Sequence, residues 1–373
     1  MHSKGVVITK FDVLIIGGGI IGQSICYHLK QEDISIGIID DFSRRRATHA
    51  AGGMLGAQNE FYSESPLFQF SMEGQYMMKE FADELAHLGH VIDYQQHGLL
   101  KIASHGEHES LLQQFDFLNA QFKTTELVKD RLDEFAHGYI RNHDLAMWIP
   151  TDGQVNAVKY HQALMSLNEK VTLIHDCVVD VKADDGFSVS TRLQTYEAQQ
   201  IVVAAGMYSG DILKSLGIHL EAYGVKGEVM TIHHSALDMK ETLFQTNGHY
   251  IVPKSDDLYV VGATTSKNRD NKVSEEGIDW LTEMTLDLLP ELMNGEIVDR
   301  RCGFRPDNPL HRPIIDEIRD NLFVATGHYR NGILLSKITG ALMHKLMFNK
   351  QHPLAMKYKD HFKLEDIHET ILK

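Results

Sequence analysis

Apolar residues in this chain gather in short runs that end in glycine, and between those runs lie longer stretches with helical spacing. Phe11-Asp12-Val13-Leu14-Ile15-Ile16 is a nearly continuous apolar run of strand length, as expected of a buried parallel strand. Gly17-Gly18-Gly19-Ile20-Ile21-Gly22 follows it, and the spacing predicts a helix from about Ile20 to Lys30. A second strand, Ile34 to Ile39, ends in Asp40-Asp41. The run Ile201-Val202-Val203-Ala204-Ala205-Gly206 repeats the first pattern and predicts a return to the same parallel sheet. A further strand, Asn321 to Thr326, runs through Gly327 into a helix within Gly327–Gly340, GHYRNGILLSKITG.

Between these landmarks the pattern alternates. Phe68 to about Asp116 reads as mostly helical, with Phe81, Leu85 and Leu88 at core spacing and a short strand at Gly98–Ile102. A long helix begins near Asn156. Val171–Ile174, Cys177–Val181 and Phe187–Ser190 read as strands. Val225–Met230, Tyr250–Pro253 and Leu258–Gly262 predict an antiparallel sheet, and Glu275–Leu289 a helix. The fold class is therefore α/β, with a Rossmann-like parallel-sheet domain and a second α+β domain built on an antiparallel sheet. The expected division gives 1–80, 150–218 and 303–373 to a discontinuous nucleotide domain, and 81–149 and 219–302 to a substrate domain.

Length and charge narrow the partners. A chain of 373 residues can bury a sizeable core in two domains. Its 36 basic and 51 acidic residues give a net charge of −15, which argues against a nucleic-acid or anionic-membrane partner. Three scattered cysteines, Cys26, Cys177 and Cys302, predict neither a disulfide framework nor a metal cage. The 22 histidines lack ligand spacing, so no metal site is expected. Phe11–Cys26 carries Asp12 and four glycines and does not read as a signal peptide. No window is long and apolar enough for a membrane span, and the expected location is the cytoplasm.

The N-terminal turn carries candidate chemistry. Gly17 allows the turn, Gly19 lets backbone approach a pyrophosphate, and Gly22 lets helix pack on strand. Asp40 or Asp41 can accept hydrogen bonds from a ribose diol, and a carboxylate there disfavours a 2′-phosphate. These features predict an adenine dinucleotide, FAD or NAD. In Arg44-Arg45-Arg46 at least two arginines read as solvated, whereas Thr48 and the Gly52-Gly53-Met54 backbone are candidates for cofactor contact. Val178 suits either an edge contact to an adenine ring or plain packing. Near the C-terminus, helix-start amides at Asn331 to Ile333 can face an electron-rich carbonyl, and Arg330 can offer a planar fork to a carboxylate.

The motifs ATHAAGGMLGA (47–57), VKGEV (225–229), YIVPK (250–254), VVGAT (260–264), GFRP (303–306) and GHYRNGILL (327–335) occur in the order seen in glycine oxidases. The chain thus resembles that family, within the D-amino-acid oxidase group of flavoproteins, over nearly its whole length. The resemblance implies non-covalently bound FAD and oxidation of glycine and similar small amines to an imine. Water then gives glyoxylate and ammonia, and oxygen is reduced to hydrogen peroxide. It further implies a link to thiamine synthesis and a homotetramer.

By position, the resemblance makes Arg305 the clamp for the substrate carboxylate and Arg330 a second substrate-side arginine. It makes Tyr250 a pocket wall and Met54 a neighbour of the flavin. Cofactor contacts would fall on Gly17, Gly19, Ile20, Ile21, Gly22, Asp40, Asp41, Ala47, Thr48, Gly52, Gly53, Met54 and Val178. A second set would comprise His328, Tyr329, Arg330, Asn331, Gly332, Ile333 and Leu334. No side chain is needed as an acid or base, so Arg305 and Tyr250 would act by positioning.

The chain departs from the family at Thr265, which stands where a pocket methionine is usual, at Gly248-His249, and at Ser336-Lys337. The first two leave the preferred amine open among glycine, sarcosine and small D-amino acids. Two alternatives remain at this stage: a sarcosine-oxidase-like flavin linked to Cys302, and a flavoprotein that hands electrons to a partner. An NAD-dependent dehydrogenase is disfavoured, because nothing after the first unit builds a nicotinamide site.

Overall fold

A computed structural model describes residues 9–42 and 46–364. Arg44 and Arg45 lie outside the described residues. The strands form two sheets. The first contains β1 (Thr9–Ile16), β2 (Ile36–Asp40), β6 (Thr172–His175), β7 (Val178–Asp184), β8 (Gly186–Thr191), β9 (Thr195–Val203), β15 (Ile314–Arg319) and β16 (Leu322–Thr326). The second contains β3 (Leu99–Ile102), β4 (Glu126–Lys129), β5 (Leu145–Ile149), β10 (Tyr223–His233), β11 (Thr242–Gln245), β12 (Tyr250–Pro253), β13 (Leu258–Gly262) and β14 (Glu296–Asp307).

The first sheet runs β15-β16-β9-β1-β2-β6, and every neighbouring pair from β16 to β6 is parallel. The predicted return is present: β9 lies beside β1 with Leu14 opposite Ile201 and Ile16 opposite Val203. Both strands therefore end at the same edge, where the loops after Ile16 and Val203 meet. In an open parallel sheet that is where a ligand crevice forms. The β7–β8 hairpin and β15 add antiparallel margins.

The second sheet runs β14-β10-β13-β12-β11-β3-β5-β4. It is antiparallel as expected, except that β11 and β3 pair in parallel. Its longest strand, β14, crosses position 302/303, so Arg305 stands on the second sheet.

Helices cover the first sheet. Ile20–Leu29 packs its buried face on the core, and the helix Gly332–Phe348 is apolar nearly all round because it is buried nearly all round. Gly340 permits the close crossing of these two helices, since a Cβ there would stand 2.6 Å from the Ser24 carbonyl oxygen. The helix Pro66–His87 is capped by Ser65, whose hydroxyl accepts from the Phe68 amide at 3.1 Å. It buries Met72 and Met78 in the core. Ala157–Leu167 begins one residue after Asn156, which caps it. Among the described residues no helix is long and apolar enough to cross a membrane.

Candidate active site

The loops at the ends of β1 and β9 face the second sheet across a cavity of about 610 Å³. At its nucleotide end, Gly17 holds φ at +110°, where a side chain is disfavoured, and a Cβ on Gly22 would stand 1.9 Å from the Gly17 carbonyl oxygen. Gly22 is therefore a packing glycine and does not line the cavity. The Ile20 amide donates to Thr48 Oγ1 at 3.2 Å, which joins the helix start to the Ala47–Ala51 turn.

Asp40 ends β2 in the cavity wall. Its Oδ2 accepts from the Gly18 amide at 2.5 Å, and its Oδ1 from the Phe42 amide at 2.5 Å and from Arg46 at 2.6 Å. Arg46 is thus ion-paired in the wall and stacks its guanidinium 4.6 Å from the Phe42 ring centroid. Sequence spacing did not single it out from its neighbours, since the pairing depends on how the loop folds back. Asp41 and Val178 also line this end, and Val178 is half-buried.

The middle of the wall is backbone. Gly53 holds φ at +80°, and a Cβ there would stand 2.0 Å from the Val155 carbonyl oxygen. Lys254, the last residue of the YIVPK motif, locks this region by donating to that carbonyl at 2.9 Å and to Gln154. Opposite lie His328, Tyr329, Arg330, Asn331, Gly332 and Ile333. The Asn331 amide donates to the His328 carbonyl at 2.9 Å, so it is already committed. The helix proper starts at Gly332, and the amides free to face a ligand are those of Gly332 and Ile333. Leu334 is buried in the core and is not part of the wall. His328 is buried, with Nε2 against Thr339 Oγ1 at 3.0 Å and Nδ1 lacking any partner among the described residues. Burial pushes its pKa down to about 3, so the ring is neutral.

At the other end, β14 carries Arg305 opposite Val225 of β10. Its Nη1 donates to the Thr264 carbonyl at 3.1 Å. Among the described residues no carboxylate pairs with it, whereas Arg330 is held by Glu60 at 3.0 Å. Burial pulls the Arg305 pKa below its ordinary value, while the Glu60 charge raises that of Arg330. The two arginines expected at the substrate do converge, but only Arg305 is unspent. Glu60 was not legible, because it lies far from Arg330 in sequence and shares no motif with it.

Tyr250 is buried beside them, its ring packed on Gly52 and Gly262. Burial raises its pKa, which keeps the phenol protonated. Thr265 and Gly248 both line the cavity, and a Cβ on Gly248 would meet nothing within 4 Å. His249 points elsewhere, with Nδ1 on Gln245 at 2.9 Å and Nε2 on Thr285 at 3.3 Å. The Ser336-Lys337 departure also packs away from the cavity: Ser336 meets the Tyr160 hydroxyl at 2.9 Å, and the Lys337 amine lies 3.6 Å from the Phe81 ring centroid. Cys302 lies outside the cavity wall, with its sulfur directed at Asn271.

These features fit a dinucleotide lying across the sheet edge with a small acid beside it. Residues 12–346 match the family described as FAD dependent oxidoreductase. The chain belongs to that family. FAD is accordingly its cofactor, and the glycine turns, the His328 Nδ1 that has no partner among the described residues, and the open amides suit it.

Glycine oxidase from Geobacillus kaustophilus is 32% identical over 357 residues, covering 92% of this chain and 94% of that protein. The crystal structure of that glycine oxidase aligns with a TM-score of 0.88 at 31% identity, covering 96% of this chain and 98% of the other. The bifunctional protein ThiO/ThiG of Synechocystis sp. is 30% identical, covering 92% of this chain and 52% of its own length. The resemblance to glycine oxidases read from the motifs thus extends through the sequence and the fold.

Proposed function

We propose that this enzyme oxidises glycine and similar small primary and secondary amines. From glycine, the imine formed is hydrolysed to glyoxylate and ammonia, and oxygen is reduced to hydrogen peroxide. The observation that carries the reading is the Arg305 guanidinium: a cation without a carboxylate partner among the described residues, facing the cavity that suits FAD.

When bound, FAD supplies the redox chemistry by taking two electrons from the substrate and passing them to oxygen. The chain supplies position. Arg305 holds the substrate carboxylate in a bidentate fork, which fixes the Cα–H bond relative to the cofactor. Tyr250 closes the wall as a neutral phenol. Met54 lines the cavity and would stand beside the flavin when it is bound. The Gly332 and Ile333 amides, at the positive end of their helix, would hold the bound ring and favour negative charge on it. Arg330, neutralised by Glu60, shapes the pocket and adds little net charge. The substrate arrives as its neutral amine, so no side chain is required as a base. The cofactor is held without a covalent link, in keeping with the orientation of Cys302.

The open space at Gly248 favours a second reading, preference for a small D-amino acid over glycine. The ThiO/ThiG relatives support a role for the imine product in thiamine synthesis. The proposal also takes 1–80, 150–218 and 303–373 as the FAD domain, save that residues 303–307 run in the second sheet as the end of β14, and a cytoplasmic homotetramer as the assembly.

The test is a visible spectrum followed by peroxide release in air with glycine, sarcosine and D-alanine. A flavin spectrum with peroxide from at least one amine is expected. A protein that stays colourless after reconstitution with FAD would end the reading, and a flavoprotein that releases no peroxide would favour electron transfer to a partner.

A further inference from the structure

We infer that the buried pair Lys226–Glu228 is a positioning unit for Arg305, acting through Thr264. The inference rests on the proposed role of Arg305 as the carboxylate clamp. It gives the VKGEV motif a task in substrate binding. Residues two apart on a strand share a face, so Lys226 and Glu228 point away from the cavity while Gly227 lines it.

Lys226 Nζ lies 3.1 Å from Glu228 Oε1, and the two side chains are 2% and 3% exposed. Around them is wrapped the loop that follows β13. Lys226 Nζ donates to Asp270 at 2.6 Å and to the Lys272 carbonyl at 2.6 Å. The Glu228 carboxylate accepts from the Ser274 amide at 2.8 Å and from the hydroxyls of Ser274 and Thr264, both at 3.1 Å. Thr264 is fixed a second and third time: the Glu228 amide donates to its Oγ1 at 2.9 Å, and its own amide donates to the Glu228 carbonyl at 3.3 Å. The Thr264 carbonyl that results is the group that accepts from Arg305 Nη1 at 3.1 Å.

Such a pair is costly to bury, and an apolar pair of the same size would hold the sheet as well. What the ions add is direction. The charges fix the carbonyl that aims the guanidinium, and burial keeps solvent from competing for it. Gly277 records how tightly the carboxylate is seated, since a Cβ there would stand 1.9 Å from Glu228 Oε2. Although burial opposes both charges, the surrounding hydrogen bonds outweigh it, raising the Lys226 pKa and lowering that of Glu228.

The experiment uses the FAD-loaded enzyme and compares glycine with glycine methyl ester, which lacks the acid charge. Glu228→Gln and Thr264→Val should each raise KM for glycine about tenfold with kcat within about twofold, leave KM for the ester unchanged and leave the flavin spectrum unchanged. Thr264→Ser should behave as wild type. Should Glu228→Gln fail to fold, Thr264→Val, which leaves the ion pair intact, carries the test. Wild-type KM for glycine in the soluble variants, alongside a raised value in Arg305→Ala, overturns this inference alone. An unchanged KM in Arg305→Ala overturns the clamp itself, and this inference with it.

Discussion

Gly227 and the Arg305 guanidinium lie against each other across adjacent strands: a Cβ on Gly227 would stand 2.5 Å from Nη2 and 2.6 Å from Cζ. The arginine therefore rests on bare backbone, and a methyl group would push it out of its place. Gly227→Ala should cost about 1–3 kcal/mol of packing strain, relieved by moving the guanidinium. The expected result is a KM for glycine raised about tenfold with bound FAD unchanged, read by steady-state kinetics and flavin absorbance.

Glu60 decides how much positive charge the substrate meets. It holds Arg330 at 3.0 Å, and the side chains are 21% and 33% exposed respectively. Glu60→Gln leaves Arg330 without its counter-ion beside Arg305. Simple carboxylates such as acetate should then bind more tightly, by about 1 kcal/mol, with a steeper dependence on ionic strength. Titration of the flavin spectrum with acetate at two salt concentrations measures both. Equal affinities in variant and wild type would show that Arg330 does not reach the bound carboxylate.

The fingerprint turn offers a separate test of cofactor retention. A Cβ on Gly22 would meet the Gly17 carbonyl oxygen at 1.9 Å, a backbone contact that cannot move aside cheaply. Gly22→Ala should separate the first helix from β1 and expel the dinucleotide. Purified variant should be colourless or nearly so, and its visible-to-ultraviolet absorbance ratio measures the loss.

Stability should fall on the acid side. His249 and His328 are buried, and burial pushes both pKa values from 6.5 down to about 3. Below pH 6.5 the unfolded chain takes up protons that the folded protein refuses. The stability is present in full above pH 6.5 and is lost as pH falls from there toward 3. Each histidine contributes a slope of about 1.4 kcal/mol per pH unit in that window. His249→Gln should reduce the slope by one proton's worth, seen by urea unfolding at pH 7 and pH 5. An identical slope in the variant would mean that His249 is protonated in the folded protein.

Strands with one-sided chemistry were legible, and strands with mixed chemistry were not. Val13 to Ile16 and Ile201 to Val203 are buried on both faces, so their sequences are continuous apolar runs that declare themselves. The strand Glu296–Asp307 carries Asp299, Arg300, Arg301 and Arg305, and its first half is largely exposed, so no period stands out. Arg305 was found through its motif, not through its strand. Leu145–Ile149 and Thr242–Gln245 are too short to announce their period, and their place comes from neighbours distant in sequence. The Arg330–Glu60 pair and the Asp40–Arg46 pair were equally hidden, since spacing along a chain does not tell which charges meet.

The crossing of Ile20–Leu29 by Gly332–Phe348 bears on biosynthesis. The element that seals the far side of the first helix is synthesised about three hundred residues after it. Until then the fingerprint turn lacks its ceiling, and β1 lacks the neighbour supplied by β9 for much of that time. Cofactor loading therefore waits until Gly332–Phe348 has been made, and a nascent chain stalled before Gly332 should expose an unsealed apolar sheet to chaperones.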